Sequence, residues 1–146
     1  MEKYKHENMI DFVEGYNGSI LIVSTTETHF TNADKFNGIE ISFFGLTDSV
    51  YSDYTATLSI TEALEIPLVI TRLMETAKKW EHQTVSGAME LHFRITDDVK
   101  LSIIYANRSI GAGISGGNTI CFFSSKQLPA VKKIVEKAIT SILENK

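Results

Sequence analysis

Alternating hydrophobic and polar residues predict β-strands along much of the chain. Residues 39–44 and 54–60 alternate in this way, and a period of two is typical of half-buried strands. The run from Ser19 to Val23 is continuously apolar after its first residue, which indicates a central strand covered on both faces. Residues 119–123 supply a further strand after a glycine-rich segment.

The clearest alternation spans residues 89–105 and predicts a β-hairpin. Its register follows from placing the two apolar sets together, because a slip of one residue would move every side chain to the wrong face. We therefore expect Ile95 to lie opposite Leu101 and Phe93 opposite Ile103. This pairing predicts a turn with an odd number of residues, three or five, around residues 97–99.

Two other segments have the spacing of amphipathic helices. Their apolar positions recur at offsets of 3, 7, 11 and 14 residues, in Ile66, Val69, Leu73, Ala77 and Trp80 and again in Leu128, Val131, Val135, Ile139 and Ile142. Capping-box patterns precede both segments, Ser59-x-x-Glu62 and Ser124-x-x-Gln127. Pro67 and Pro129 are expected in the first turn of each helix, where proline is tolerated.

The order of these elements predicts the fold class. Strands, helix, strands and helix follow one another without a linker, which indicates a single α+β domain over residues 1–146. We expect an antiparallel β-sheet with the two helices on one face. The helix positions, the prolines and three strand positions repeat at an offset of 62 residues, which favours two pseudo-repeats, over about 15–82 and 83–146, each a β-meander followed by a helix.

Composition excludes disorder and then exposes a charge asymmetry. The 146 residues are 43% hydrophobic and 22% charged, within the range of ordinary globular domains. The net charge of −4 divides into −7 for residues 1–62 and +3 for the remainder. Because nucleic-acid affinity comes mainly from Lys and Arg that neutralise phosphates, this acidic half disfavours nucleic acid and suits a basic partner.

The cysteine content and the apolar runs bear on the cellular compartment. Cys121 is the single cysteine, so no internal disulfide forms, and its neighbours indicate a buried strand rather than a catalytic thiol. No signal-peptide core and no apolar run of membrane-spanning length is present in the sequence. We therefore expect a cytoplasmic protein that does not bind membranes.

The glycine-rich segment from Arg108 to Gly117 is a candidate anion site. Glycines at 111, 113, 116 and 117 would let backbone N–H groups approach a phosphate, with Arg108 as a clamp. The spacing matches neither the phosphate-loop nor the dinucleotide-binding pattern. Two interpretations stay open: a ligand loop formed by Gly111, Gly113, Gly116 and Gly117 with Arg108, and a flexible connection between strands.

A polar strand face is the second candidate for binding chemistry. Glu90, His92 and Arg94 share one face of a predicted strand and could bind an anion, although such a row is also typical of a solvated face. The histidines and the one cysteine have no metal-ligand spacing, and no nucleophile motif occurs. The sequence therefore predicts no metal, no cofactor, no catalytic residues and no enzymatic activity.

Aromatic residues next to acidic ones predict an association surface. Trp80 completes the apolar stripe of its helix and is expected in the core, whereas Phe44 and Phe123 are expected on outer strand faces. Such exposed aromatic groups suit a partner or a second copy of the chain, so homo-oligomerisation through a sheet face is one prediction.

The acidic part of this surface is the predicted contact region for another macromolecule. Glu40, Asp48 and Asp53 would contact a basic partner, with Tyr51 and Tyr54 as aromatic anchors.

Scattered positions over residues 75–140 carry a family resemblance. They include Trp80, the run from Gly87 to Leu91, the run from Asp97 to Leu101, and Gln127 with Leu128. This pattern resembles a small uncharacterised bacterial family of toxin-immunity-like proteins. The resemblance implies a non-enzymatic protein that binds and neutralises a toxin, here a basic one.

The predicted topology carries a second resemblance. A β-meander plus helix given twice is similar to the whirly and Pur proteins, which bind single-stranded nucleic acids. Such proteins use basic strands with exposed aromatic residues, and this chain departs from that pattern in its acidic first half. Binding of single-stranded nucleic acid, or of a phosphorylated small ligand by the Gly111–Gly117 segment, is the alternative function.

Overall fold

The fold consists of two units, each a four-stranded antiparallel meander followed by a helix. The structure, a computed structural model, describes residues 2–47, 49–82 and 87–144. The first unit contains β1 (Glu2–Glu14), β2 (Ile20–Phe30), β3 (Lys35–Thr47), β4 (Val50–Leu58) and α1 (Ile60–Glu81). The second contains β5 (Met89–Arg94), β6 (Val99–Ala106), β7 (Ser109–Gly116), β8 (Thr119–Ser124) and α2 (Leu128–Glu144).

The α+β class and the order of strands and helices are confirmed. The strands form two sheets rather than the single sheet expected, with strand orders β1-β2-β3-β4 and β5-β6-β7-β8. We call these sheet A and sheet B. One core of buried apolar side chains joins both sheets to both helices. No helix in the described ranges is long and apolar enough to cross a membrane.

The buried apolar side chains of sheet A lie on its inner face. Leu21 and Val23 of β2, together with Ile41 and Phe43 of β3, are buried against the core. Ile22 is half-buried and faces the other side, so the continuous apolar run around Val23 is only partly covered there. Strand β1, which the alternation pattern did not predict, has Val13 as its one buried side chain.

The β5–β6 hairpin keeps the predicted faces but not the predicted register. Phe93 pairs with Leu101 rather than Ile103, a shift of two residues. Because Val99 is also apolar and buried, either register places apolar side chains inward. The turn decides between them: Thr96 Oγ1 accepts hydrogen bonds from the N–H groups of Asp98 (3.2 Å) and Val99 (3.1 Å), which closes the shorter loop.

Both predicted capping boxes are formed. Ser59 and Glu62 form a complete capping box at the start of α1, and Ser124 and Gln127 form another before α2. The second box opens onto a 3₁₀ turn, Ser125–Gln127, before α2 begins. Pro67 lies inside α1 rather than in its first turn, so that part of the prediction is wrong.

The two sheets meet where β8 crosses one end of β2 and β3, at a contact we call the seam. The N–H of Phe122 donates to Ser19 Oγ (2.9 Å), and its carbonyl accepts from the N–H of Tyr16 (2.8 Å). Cys121 Sγ lies 3.5 Å from the carbonyl oxygen of Ile20 and 3.3 Å from that of Phe44. The free edge of β8 is therefore covered by the first unit.

The two units repeat in architecture but not at one sequence offset. The first unit begins with β1 at Glu2, before residue 15. The offset of 62 relates α1 to α2, yet it places β3, the third strand of its sheet, on β6, the second strand of the other.

Candidate functional site

Strand β4 places the predicted contact residues on two different faces. Tyr51 and Asp53 point to the outer face of sheet A, while Tyr54 points inward, because side chains alternate along a strand. Asp53 lies directly opposite Phe44, which is on the outer face as predicted. Asp48 lies outside the described residues.

The strand register assembles an apolar surface with acidic ends on the outer face of sheet A. One row crosses all four strands from Glu14 through Ile20 and Phe44 to Asp53. Phe12 and the pair Leu46–Tyr51 lie in the neighbouring rows. We call this surface the acidic face and define it by Phe12, Glu14, Ile20, Phe44, Leu46, Tyr51 and Asp53.

The acidic face is open to solvent and has one sign of charge. Tyr51 is 57% exposed, Phe12 is 47% exposed and Leu46 is 41% exposed. Glu14 and Asp53 are exposed at opposite ends of one row, and no lysine or arginine is among the defining residues. An apolar patch with a charged rim is typical of a protein-binding surface.

Glu40, another predicted contact residue, is buried instead. The Glu40 carboxylate accepts a hydrogen bond from Lys5 Nζ, and Glu40 as a whole is 7% exposed. Burial alone would raise the pKa of Glu40, but the hydrogen bonds from Glu7 and Lys5 outweigh it and hold that pKa below its usual range. The hydrogen bond to Glu40 raises the pKa of Glu7. Because Glu40 is buried and already bonded to Lys5 of the same chain, it is not part of the acidic face.

Tyr54 is an internal anchor that joins the two sheets. A Cβ atom on Gly117 would lie 2.7 Å from the Tyr54 ring, and one on Gly116 would lie 2.9 Å from it. The neighbouring Asp98 carboxylate raises the pKa of Tyr54. Gly116 and Gly117, the last two glycines of the glycine-rich segment, thus leave space for the Tyr54 ring.

No protein-family model matches this chain, and no curated protein is significantly similar to it by sequence.

The glycine-rich segment is mostly a strand, so it is neither a ligand loop nor a flexible connection between strands. Gly111, Gly113 and Gly116 lie within β7, and Gly117 follows in the turn to β8 with φ of 56°. Arg108 lies in the opposite turn, before β7, roughly 30 Å from Gly117 at the usual strand rise. Arg108 and Gly117 cannot hold the same phosphate.

A second surface, on the outer face of sheet B, combines cations with exposed apolar groups. One row across the sheet contains His92, Ser102, Gly113 and Phe122, and the next contains Arg94, Lys100, Ser115 and Ile120. We call this the basic face and define it by His92, Arg94, Lys100, Gly113, Ile120 and Phe122.

Phe122, not Phe123, is the outward aromatic side chain of β8. Phe122 is 38% exposed, whereas Phe123 is fully buried, so the predicted position of Phe123 is wrong. His92 Nε2 lies 3.1 Å from Glu90 Oε2, so two residues of the predicted polar row are in contact at the exposed edge of the basic face.

Sequence reasoning also missed a polar cluster at the far end of sheet A. The ring of Tyr4 stacks on His29 with centroids 4.3 Å apart. The hydrogen bond from His29 lowers the pKa of Glu27, and Lys35 Nζ lies 3.7 Å from the same carboxylate. These groups neutralise one another, so we interpret the cluster as structural.

The single cysteine and the possible metal ligands are candidate reactive groups. Burial raises the pKa of Cys121 to about 11, so its thiol is protonated at neutral pH and is a poor nucleophile. In residues 2–47, 49–82 and 87–144, no three His, Cys, Asp or Glu side chains lie close enough to hold a metal ion.

Proposed function

We propose that this chain is a non-enzymatic, cytoplasmic protein that binds a basic protein partner through its acidic face, in the manner of a toxin-immunity protein. The observation that carries the proposal is the row from Glu14 to Asp53. It places two exposed carboxylates at the ends of an apolar strip that lacks any cation. A single buried cysteine suits a reducing compartment.

Tyr51 is the expected anchor of this interface. It is exposed on the outer face, two residues before Asp53 along β4, so both side chains point to the same side. Buried aromatic anchors carry much of the affinity at protein interfaces, while rim charges mainly orient and speed the encounter. Lysines of the partner would pair with Glu14 and Asp53 around the tyrosine.

The first prediction concerns charge reversal on this face. Asp53→Lys should weaken binding about tenfold or more, since a lysine would repel a basic partner. To find the partner, each gene next to the gene of this chain is co-expressed with it. The affinities of the wild type and of Asp53→Lys are then measured for any basic protein that co-purifies.

Glu136→Lys is the matched control for this variant. It makes the same change of charge at an exposed position of α2, away from both sheets. Equal affinity of wild type and Asp53→Lys for the basic product, with both proteins folded, would exclude the acidic face as the binding surface.

Single-stranded nucleic acid is the second candidate ligand. The order of a meander and a helix occurs twice in this chain, and the whirly and Pur proteins, which bind single strands, have a similar topology. The basic face supports it with Phe122 for stacking and with Arg94 and Lys100 for phosphates. Stacking contributes about 1–3 kcal/mol per base.

The second prediction tests that candidate. A labelled oligothymidylate should bind at low salt, weaken steeply as salt rises, and lose about tenfold in affinity with Phe122→Ala. Phe12→Ala, on the other sheet, is the control. The measurement is fluorescence anisotropy, and no change in anisotropy at low salt would remove this candidate.

A further inference from the structure

Strand β4 forms an edge of sheet A that lacks a bulge and the residues that usually protect such an edge. It pairs only with β3, and its register is regular from Val50 to Leu58. The strand contains no lysine, arginine or proline. Proteins usually protect a free strand edge with such residues, with a bulge, or by covering it, since its unpaired N–H and C=O groups attract other strands.

The other edge strands do have these features. β1 contains Lys3 and Lys5 and has two irregularities in its pairing with β2. β5 is short and ends at Arg94. β8 is covered at the seam by the hydrogen bond from Tyr16. Among the described strands, the edge of β4 is therefore the one best suited to accept a further strand.

A groove follows this edge and has acidic walls. Its volume is about 290 Å³, and it is lined by Tyr54–Leu58 of β4, by Glu62 at the start of α1, and by Thr96–Asp98 of the β5–β6 turn. Tyr54 on the strand and Asp98 in the turn both line this groove. A continuous stretch of strand edge thus lies along one side, opposite the β5–β6 turn.

The charged residues that line the groove are acidic, so they favour a basic ligand. Glu62, Asp97 and Asp98 are all carboxylates, and the Asp97 side chain is 98% exposed. Arg94 pairs with one of these carboxylates, since its Nη1 lies 3.9 Å from Asp97 Oδ1. No lysine or arginine lines the groove within the described residues. A peptide segment with lysine or arginine side chains would therefore complement the charge of the groove.

We propose that the edge of β4 binds an extended basic segment of the partner as a fifth strand of sheet A. Main-chain hydrogen bonds to β4 supply affinity, and lysine or arginine at alternate positions pairs with Asp97, Asp98 and Glu62. The inference rests on the proposed function, because it assigns a binding mode to the same basic partner. It adds a strand to the sheet whose outer surface is the acidic face.

The test uses a capped nonapeptide of alternating lysine and valine. We expect it to shift the amide NMR signals of residues 54–58 and 96–98 and to slow hydrogen exchange along β4. The same peptide with N-methyl groups on alternate residues lacks half of its main-chain donors and should lose at least tenfold in affinity. The alternating glutamate–valine peptide should not bind.

Two variants of the chain complete the test. Asp97→Lys should weaken the lysine peptide about tenfold, and Glu2→Lys, on the opposite edge of sheet A, should leave its affinity unchanged. Unchanged affinity of either the N-methylated peptide or Asp97→Lys would overturn the inference.

The outcome separates this inference from the proposed function. Absence of peptide binding at β4, with co-purification of a basic partner that still depends on Asp53, would overturn strand addition alone. Peptide binding at β4 without any effect of Asp53→Lys on the partner would overturn the acidic face alone.

Discussion

Replacement of Phe43 by alanine is expected to lower the free energy of unfolding by about 3–5 kcal/mol. Phe43 is completely buried in β3, between Leu21 of β2 and Tyr54 of β4. A Cβ atom on Gly116 would collide with its ring, so the ring also fills space next to sheet B. Its removal leaves a cavity where the two sheets share their core, and strands paired on both sides cannot close it.

Phe122→Ala is the control for this variant. It removes the same side chain from the half-open basic face and should cost about 1 kcal/mol or less. Urea unfolding of the three proteins measures both values. Equal losses for the two variants would show that Phe43 does not hold the common core together.

Gly45→Ala should destabilise the chain by about 2–3 kcal/mol through steric overlap at the seam. An added Cβ atom would lie 2.5 Å from the carbonyl oxygen of Ile120. That oxygen belongs to the backbone of β8, and Ile120 is already paired with Ser115 of β7. The clash cannot be relieved by a side-chain rotation, so one strand has to move away from the other.

Gly111→Ala, unlike Gly45→Ala, should not destabilise the chain. The nearest atom to its added Cβ would be the carbonyl oxygen of Phe123 at 3.8 Å, an ordinary contact, and the residue does not have positive φ. This variant should be neutral or gain up to about 1 kcal/mol, because alanine restricts the unfolded chain. Thermal unfolding compares the two, and a loss at Gly111 equal to that at Gly45 would contradict the account of the seam.

The helices were predictable because their determinants are local. Ser59 and Ser124 each meet a partner three residues later, and apolar side chains recur at the helical period over several turns. Both capping boxes could be assigned from sequence alone. Pro67 was misplaced because the first turn of α1 begins earlier than its apolar stripe suggests.

Strand β1 was not predictable in this way. It buries only Val13, so it has little alternation of apolar and polar residues, and its extended form comes from backbone pairing with β2. Two of the seven residues of the acidic face were missed as a result, since Phe12 and Glu14 reach Ile20 and Phe44 only through that pairing. The β4 residues Tyr51 and Asp53 were identified because they belong to a regular alternating strand.

The buried polar interaction of Glu40 illustrates a second limit. Within its own strand Glu40 occupies an outward position between Ile39 and Ile41, and nothing local distinguishes it from a solvated carboxylate. Lys5, which binds it, lies 35 residues earlier in the sequence. Long-range ion pairs of this kind depend on the strand order of the sheet and cannot be derived from the spacing of residues.

The position of Cys121 makes the chain a reporter of its own local opening. Its single thiol is buried at the seam, against the carbonyl groups of Ile20 and Phe44. An alkylating reagent can reach the sulfur only when β8 separates from β2 and β3. The labelling rate of the native protein therefore gives the free energy of that separation, and its comparison with global unfolding tells whether the two meanders come apart as independent foldons.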